Sequence, residues 1–260
     1  MSELTFENSS VFVAGGSSGI NLGIARAFAE RGARVFLISR DPERVAAAVA
    51  GLRESGGEAR GCAADVRDPA ALDAAYRQAT DWFGEIDVLI SGAAGNFLAS
   101  ALDMSCNAFK TVVDIDLLGT FNVLRCGHAW LRKPGAAVLN ISAPQAFNPT
   151  RNQVHACAAK AGVDMITKVL AMEWGDQGIR VNSLVPGPIG DTEGIRRLAP
   201  NEQALERMRA TVPLRRLGAL ADVANMAMTL CSPGAGFVTG AVLTVDGGSS
   251  LQGGRDLKPE

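Results

Sequence analysis

The stretch Val11-Phe12-Val13-Ala14-Gly15-Gly16-Ser17-Ser18-Gly19-Ile20-Asn21 decides the fold class of this 260-residue chain. An apolar run leads into a glycine-rich turn, and the amphipathic residues 22–31 follow it. This order predicts a strand, a turn and a helix that together bind a dinucleotide, because glycines let the backbone approach a pyrophosphate and the first N–H groups of a helix attract anions. The turn also fits an ordinary βα loop. We predict cofactor contacts at Gly15, Ser17, Ser18, Gly19 and Ile20.

The next apolar run bears on the choice of cofactor. Residues 34–38 end in Ser39-Arg40, where NAD-binding units usually place an acid for the ribose 2′-hydroxyl. A guanidinium instead grips a 2′-phosphate through charge-assisted hydrogen bonds. Arg40 therefore favours NADPH, the alternative being a solvated surface arginine. Asp65 and Val66 after a third strand, and Ala93 after a fourth, are expected beside the adenine and ribose.

Strands and helices alternate along the whole sequence. This alternation predicts an α/β fold, a single doubly wound Rossmann-type domain over residues 1–260 with a central parallel seven-stranded sheet and helices on both faces. An apolar content of 47% is ample for one core. The predicted strands are residues 11–14, 35–38, 58–62, 86–90, 136–142, 181–185 and 242–245.

Charge and composition narrow the function classes. The net charge is −2 with no dense basic run, which argues against nucleic acid and membrane partners. Five widely spaced cysteines without a Cys-x-x-Cys motif predict reduced thiols, and two isolated histidines predict no metal site. Neither a signal peptide nor an apolar segment of membrane-spanning length is found, so we expect a cytoplasmic protein.

From the glycine turn to Val245-Asp246-Gly247-Gly248, the order of motifs resembles the short-chain dehydrogenase/reductase family. Two further signatures of that family are Arg180-Val181-Asn182 and Pro186-Gly187-Pro188-Ile189. Asn21 replaces the last glycine of the family's turn, where its side chain either crowds the cofactor or adds a hydrogen bond. The resemblance implies that the nicotinamide and pyrophosphate end of the cofactor contacts Pro186, Gly187, Ile189 and Thr192.

The catalytic residues of that family are only partly present. The family normally uses Asn, Ser, Tyr and Lys, and the matching positions here are Asp116, Ala143, Ala156 and Lys160. A ketone reductase needs an acid at the carbonyl oxygen, because hydride delivery leaves an alkoxide that must be protonated where it forms. Ordinary interconversion of alcohols and ketones is therefore disfavoured.

A narrower resemblance accounts for these departures together. The chain is similar to the peroxisomal type of 2,4-dienoyl-CoA reductase, which carries an Asp and a Lys in place of the tyrosine-centred set. The resemblance implies NADPH-dependent reduction of 2,4-dienoyl-CoA to 3-enoyl-CoA in fatty-acid β-oxidation, with Asp116 and Lys160 as catalytic residues. The similar segments are residues 93–97, 107–112, 114–116, 154–156, 171–175 and 186–189.

The chemistry of a conjugated thioester explains why a phenol is dispensable. Hydride goes to the distal carbon, charge spreads through a dienolate to the thioester oxygen, and the proton is finally needed on the α-carbon. Asp116 would deliver that proton directly or through one water, while Lys160 would hold the nicotinamide ribose. The alternatives are a structural carboxylate in a predicted helix over residues 107–131 and a surface lysine. His155 is a third candidate acid, since imidazole titrates near neutrality.

The substrate and quaternary structure complete the expectations. Coenzyme A carries phosphates, so we expect arginines at the mouth of the site; Asn96 would donate to the thioester oxygen and Phe97 would line the acyl channel. Residues 190–211 are expected to form a substrate lid, and residues 249–260 a tail that is mobile or folds over a neighbouring subunit. The resemblance implies a homotetramer, with which the predicted helices over residues 109–131 and 154–174 are consistent. The arginines are Arg67 and Arg197, with Arg196 as an alternative to the latter.

Two other functions remain open from the sequence. The first is another short-chain oxidoreductase that acts on a different activated alkene, or on a carbonyl without a tyrosine acid. The second is a cofactor-binding scaffold that has lost catalysis, which the missing Tyr and Ser favour when they are considered alone.

Overall fold

A computed structural model describes residues 4–190 and 192–251, and of residues 197 and 198 the backbone alone. Its sheet has the strand order β3-β2-β1-β4-β5-β6-β7, and every pairing is parallel. This confirms the predicted seven-stranded parallel sheet. Most of the predicted tail lies outside the described residues. The strands are β1 (Ser10–Ala14), β2 (Arg34–Ser39), β3 (Glu58–Ala63), β4 (Val88–Ser91), β5 (Ala137–Ile141), β6 (Arg180–Pro186) and β7 (Val242–Val245).

Helices cover both faces of the sheet. Successive strand residues point to opposite faces, so Val11 and Val13 of β1 pack into one core with α1, α2 and α9, while Phe12 and Ala14 pack into another with α3, α5 and α6. The helices are α1 (Gly19–Ala29), α2 (Pro42–Glu54), α3 (Pro69–Phe83), α4 (Cys106–Val112), α5 (Gly119–Gly127), α6 (Val154–Trp174), α7 (Glu193–Leu198), α8 (Glu202–Thr211) and α9 (Leu220–Cys231).

The strand order reverses between β1 and β4, and this reversal determines where a ligand can bind. From β1 the chain runs outward to β2 and β3, and it then returns to place β4 on the other side of β1. The loops after β1 and β4 therefore leave the sheet in opposite directions. A crevice opens between them at the carboxyl ends of the strands, which is where open α/β sheets bind their ligands.

The chain between residues 106 and 131 differs from the continuous helix that the sequence predicts. A π-helix over Val113–Leu118 separates α4 from α5, and a 3₁₀ turn, His128–Trp130, follows. A π-turn inserts an extra residue, which turns the following side chains relative to the preceding helix, and such turns are frequent at functional sites. Here Ile115 and Asp116 are the buried residues of the π-helix. In contrast, α6 runs over the predicted residues.

The single tyrosine of the chain joins two helices of the second core. Tyr76 of α3 is fully buried, stacks on Phe12 at 4.3 Å between ring centroids, and donates a hydrogen bond to the carbonyl of Val123 in α5. A Cβ at Gly127 would lie 2.7 Å from the phenol oxygen, so a glycine is needed there. Burial raises the pKa of Tyr76 well above its usual value. The residue is therefore a packing element.

Two features concern expectations about lids and membranes. The segment predicted as a lid follows the end of β6. Apart from residue 191, which is not described, it contains α7, α8 and the short connections beside them. Among the described residues, no helix combines the length and the apolar character needed to cross a bilayer.

Candidate active site

The glycine turn after β1 is shaped by close backbone contact. Gly15 has φ +77°, its N–H donates to Ile38, and a Cβ there would lie 2.7 Å from the backbone of Ala93. Gly19 has φ +57° and begins α1, but a Cβ there would meet nothing within 4 Å. The hydroxyl of Ser18 makes no capping hydrogen bond. The first turn of α1 therefore presents N–H groups to open space, as a pyrophosphate requires.

Asn21 joins the two loops that flank the crevice. Its buried side-chain amide donates to the carbonyl of Gly15 at 3.2 Å and to that of Gly92 at 2.7 Å. The amide therefore adds hydrogen bonds to the turn, which is one of the two outcomes expected for this residue. Its Oδ1 atom has no hydrogen-bond partner in the described part of the chain. Ser17 and Ile20, the other residues expected to contact the cofactor, are partly exposed beside it.

Charged side chains gather at the carboxyl ends of β2 and β3. Arg40 is exposed, and Asp65 accepts from Arg67 at 3.0 Å to Nε and 2.6 Å to Nη2. The hydrogen bond from Arg67 lowers the pKa of Asp65, and the charge of Arg40 acts in the same direction. Val66 packs against α5, where a Cβ at Gly119 would lie 2.5 Å from it. The structure thus brings Arg40, Asp65 and Val66 to one edge, with Arg67 already paired.

The segment predicted to contact the nicotinamide follows β6. Pro186 ends β6, and a Cβ at Gly187 would lie 2.4 Å from Asp246, so the backbones approach closely. Ile189 is buried. The hydroxyl of Thr192 donates to the carbonyl of Ile189 at 2.8 Å and caps the first turn of α7. These residues form a tight backbone ledge at the carboxyl end of the sheet.

Asp116 and Lys160 meet inside the protein. The π-helix brings Asp116 to 2% exposure, where Oδ1 accepts from the N–H of Gly95 at 2.7 Å and Oδ2 lies 3.6 Å from Nζ of Lys160. Nζ also donates to the carbonyl of Ile141 at 2.9 Å. Burial raises the pKa of Asp116, while Lys160, Gly95 and His155 act in the opposite direction. A carboxyl whose pKa is raised keeps its proton to a higher pH than a free carboxyl does, which suits it to act as an acid.

The side chains at the usual serine and tyrosine positions cannot act as acids. Ala143 follows β5 and Ala156 is buried in the first turn of α6. Neither carries a polar atom, so Asp116 and Lys160 are the charged groups that remain at the matching positions. The structure brings these two together, as the sequence predicts.

His155 lies under Phe97 beside this pair. The imidazole is 0% exposed, and its ring centroid lies 4.4 Å from that of Phe97. Neither ring nitrogen makes a hydrogen bond of normal geometry in the described residues, and the backbone of Phe97 is a polar group close enough to act on the ring. Burial lowers the pKa of His155, and the charge of Asp116 and the backbone of Phe97 act in the opposite direction. Asn96, the predicted thioester donor, is exposed in the same loop.

A second buried polar cluster lies behind Lys160, and the sequence did not lead us to it. Asp164 is one helical turn after the lysine in α6, a spacing that places both on one helix face. Oδ1 of Asp164 and Oγ of Ser142 make no hydrogen bond of normal geometry in the described chain, although the hydroxyl lies close enough to act on the carboxyl. Burial raises the pKa of Asp164, and the hydroxyls of Ser142 and Ser183 act in the opposite direction. The charged interior therefore extends across α6 toward β5 and β6.

Other predicted residues are less defined. The side chain of Arg197 lies outside the described residues, so its contact with coenzyme A stays a prediction, as does that of Arg67. Within residues 4–190 and 192–251, no group of His, Cys, Asp and Glu side chains is arranged to hold a metal ion.

Comparisons of the sequence place these features in a known context. A family model described as enoyl-(acyl carrier protein) reductase matches residues 14–250. The peroxisomal 2,4-dienoyl-CoA reductase of Pongo abelii, described as (3E)-enoyl-CoA-producing, is 47% identical over 95% of this chain and 85% of its own length. A probable 2,4-dienoyl-CoA reductase of Bacillus subtilis, described as (2E)-enoyl-CoA-producing, is 37% identical over 94% of this chain and 98% of its own.

Solved structures agree with the sheet order. A short-chain type dehydrogenase/reductase from Mycobacterium ulcerans superimposes with a TM-score of 0.91 at 32% identity, covering 97% of this chain and 94% of that one. A short-chain dehydrogenase from Bacillus anthracis gives a TM-score of 0.85 at 35% identity, over 95% and 99% of the two chains.

Proposed function

Because the chain belongs to the short-chain dehydrogenase/reductase family, we propose that it is an NADPH-dependent reductase of 2,4-dienoyl-CoA thioesters that releases 3-enoyl-CoA. The observation that carries this proposal is the buried pair of Asp116 and Lys160, 3.6 Å apart, in a site whose tyrosine position is occupied by Ala156. A carboxyl acid suits protonation of carbon in a dienolate, whereas an alkoxide needs its acid at oxygen.

The residues of the crevice fit a nicotinamide dinucleotide. Gly15 and Gly19 keep the β1 turn open to a pyrophosphate, and Asn21 holds that turn against the loop after β4. We propose that Arg40, exposed beside Asp65, binds a 2′-phosphate and so selects NADPH over NADH. When bound, the cofactor supplies the hydride.

The side chains of the interior would handle the proton. Lys160 is fixed by Ile141 and lies against Asp116, so its ammonium holds positive charge near the site where the dienolate forms. In our proposal Asp116, whose pKa is raised by burial, gives a proton to the α-carbon directly or through one water. The carboxylate that is left is stabilised by Lys160 and by the N–H of Gly95. Lys160 would also hold the nicotinamide ribose.

We propose that the loop after β4 and the arginines hold the thioester. Asn96 would donate to the thioester oxygen and Phe97 would line the acyl channel, since both lie in the loop that carries Gly95. Arg67 and Arg197 would meet the coenzyme A phosphates, and residues 190–211 would close over the substrate.

The isomer of the product depends on which carbon receives the proton. Protonation of the dienolate at the α-carbon leaves a 3-enoyl thioester, and protonation at the γ-carbon leaves a 2-enoyl thioester. The name of the Bacillus relative specifies the 2E product, which makes a 2-enoyl-CoA the second candidate. The higher identity to the relative with the 3E product favours the first.

We also propose that the protein assembles as a homotetramer. An apolar groove of about 600 Å³ lies between the π-helix, α5 and α6. Phe121, Met165, Val169 and Met172 are exposed on or beside it, and exposed apolar patches of this kind are typical of protein interfaces. Light scattering behind a size-exclusion column would measure the mass.

The decisive experiment follows NADPH absorbance with 2,4-hexadienoyl-CoA and 2,4-decadienoyl-CoA, using crotonyl-CoA and a simple ketone as controls. We expect turnover of the dienes, and slower turnover when NADH replaces NADPH. In Asp116→Asn we expect kcat to fall by about 10²- to 10⁴-fold, since the side-chain amide has no acidic proton to donate. Chromatography of the product against both enoyl isomers identifies the carbon that is protonated.

The alternatives give different results. Turnover of the ketone alone would favour another short-chain oxidoreductase. NADPH binding without any oxidation would favour a non-catalytic scaffold, and an Asp116→Asn variant as fast as the wild type would remove the carboxyl from the mechanism.

A further inference from the structure

Each reduction of a diene by NADPH consumes one proton from solvent, and Asp116 has no evident way to obtain it. The carboxyl is 2% exposed, and its hydrogen-bond and ion-pair partners in the described structure are the N–H of Gly95 and the ammonium of Lys160. A peptide N–H does not exchange its proton fast enough to serve turnover, and Lys160 is itself buried. The acid therefore needs another neighbour that can pass protons.

His155 is the neighbour whose chemistry fits. It is 0% exposed, and neither ring nitrogen makes a hydrogen bond of normal geometry among the described residues, although the backbone of Phe97 lies close enough to act on the ring. Leaving a buried polar atom unpaired costs about 1–3 kcal/mol, so such atoms are rare without a functional reason or a bound water. Two of them on one imidazole, close enough to Asp116 for the carboxylate charge to act on the ring, indicate a site built to exchange hydrogen bonds.

Phe97 separates this imidazole from solvent. Its ring lies on that of His155 with 33° between the planes and is itself 38% exposed. The surrounding residues 92–100 form no regular structure, so an aromatic side chain that lies on the histidine is carried by an irregular loop. A small displacement of Phe97 would bring water to one ring nitrogen.

We propose that His155 is a proton-relay residue that acts through Asp116, returning to the carboxyl, from the side covered by Phe97, the proton that each turnover consumes. The inference rests on the proposed reductase function and adds the route of the proton to it. No fixed hydrogen bond joins the two side chains in the described structure, so one water completes the path.

The transfer balances without any further reactant. A neutral imidazole carries one N–H and one lone pair. As the carboxylate takes a proton from the bridging water, that water takes the proton of the facing ring N–H, and the other ring nitrogen accepts a proton from solvent. The Asp116 O–H bond and one new ring N–H bond form, one ring N–H bond breaks, and rotation of the ring then turns the new N–H toward the bridging water for the next turnover.

The charges around the histidine favour this exchange. The titratable groups that face the imidazole and Asp116 are each other and Lys160, which lies on the same helix as His155, and the loop contributes only the backbone of Phe97. Burial lowers the pKa of His155 and raises that of Asp116. The two values are thus drawn together, which reduces the energy needed to move a proton between them.

Chemical rescue tests the relay. In His155→Ala we expect kcat with 2,4-hexadienoyl-CoA to fall by about 100-fold, with little change in the dissociation constant of NADPH, a larger solvent deuterium isotope effect, and recovery of rate when imidazole is added. His155→Gln keeps a polar side chain that cannot relay, and we expect the same loss. His128→Ala is the matched control, because His128 is bonded to Gln177 at 2.9 Å, and we expect neither a loss nor a response to imidazole.

A second readout does not depend on turnover. Histidine ring protons followed by NMR over a pH series report the pKa of His155, and we expect Asp116→Asn to lower it, because the carboxylate charge that raises it is removed, while His128 is unmoved. An unchanged His155 titration, or full activity in both His155 variants, would overturn the relay. So would a loss that imidazole does not restore and that leaves the isotope effect unchanged. If the wild-type protein does not reduce dienes but the pKa of His155 still falls in Asp116→Asn, the result would count against the reductase function and not against the coupling of His155 to Asp116.

Discussion

The glycine turn after β1 and the interior around Asp116 serve one crevice but are built in opposite ways. In the turn, backbone lies against backbone, with a Cβ at Gly15 only 2.7 Å from Ala93. In the interior, charged and polar side chains are buried together, and several of their atoms lack partners. The first region is specified by shape and the second by charge. We therefore expect substitutions in the turn to destabilise the protein through steric overlap, and substitutions in the interior to destabilise it by leaving a buried charge without its partner.

The largest effect should come from Lys160→Met, which leaves Asp116 buried without its counter-charge. Breaking a buried ion pair in this way costs about 3–5 kcal/mol of stability. Because Lys160 holds down the pKa of Asp116 against burial, its removal raises that pKa further. The penalty is then full at alkaline pH, where the carboxyl is charged, and shrinks as the pH falls through the raised pKa. Urea unfolding at several pH values measures it.

Lys110→Met provides the control on the same stretch of chain. Lys110 pairs with Asp114 one turn away, and its side chain is 68% exposed. Exposed pairs contribute about 0–1 kcal/mol, so little change is expected at any pH. Equal losses in the two variants would erase the proposed difference between a buried and a surface charge.

Gly15→Ala should come next, and it tests the steric side of the comparison. A left-handed backbone costs alanine about 1 kcal/mol, and overlap with Ala93 adds about 1–3 kcal/mol. We expect the unfolding free energy to fall by about 2–4 kcal/mol, without the pH dependence of the lysine variant. Thermal denaturation without cofactor measures this loss.

Gly19→Ala is the matched control for the turn. It shares a positive φ, but its Cβ would meet nothing within 4 Å. The strain of about 1–2 kcal/mol remains, while the overlap is absent, and NADPH binding should suffer more than stability does. If the Gly15→Ala and Gly19→Ala proteins were equally stable, the loop that carries Ala93 would have moved to make room for the new methyl group at little cost.

Among the three test variants, Lys160→Met, Gly15→Ala and Asn21→Gly, the smallest loss of stability should follow from Asn21→Gly, which restores the glycine of related turns. It removes the hydrogen bonds to Gly15 and Gly92 and places glycine within a helix, but it also relieves an unpaired oxygen. We expect a loss of about 1–2 kcal/mol. Asn21→Asp, nearly identical in shape, would turn an oxygen toward two carbonyls and should lose more. The opposite order would mean that the asparagine acts by volume rather than by hydrogen bonding.

The sequence was informative where local pattern and structure coincide. Period and turn residues predicted the seven strands and α6, and these features depend on short-range rules that act within a few residues. The pairing of Asp116 with Lys160 was predicted through the resemblance to a known family, since the two residues are far apart in the sequence. The glycine motif predicted an approach of the backbone to a pyrophosphate, whereas the close contact of Gly15 with Ala93 was not predicted.

The remaining features depend on contacts that sequence spacing does not encode. An α-helix and a π-helix share nearly the same amphipathic pattern, so residues 107–131 were predicted as one helix. The contact of Phe97 with His155 joins residues 58 positions apart, and the hydroxyls that act on Asp164 belong to Ser142, just after β5, and to Ser183 in β6. Such arrangements follow from how the strands are ordered in the sheet.

The buried tyrosine between α3 and α5 gives this protein an optical label at one known place. A phenol absorbs differently once ionised, and Tyr76, the one tyrosine of the chain, is kept from ionising by its burial. Its near-ultraviolet signal in alkali therefore stays silent until α3 separates from α5, with no other tyrosine to obscure it. When the signal is measured together with catalytic activity, it distinguishes a protein in which α3 and α5 have separated from one in which only the site around Asp116 and Lys160 is disrupted.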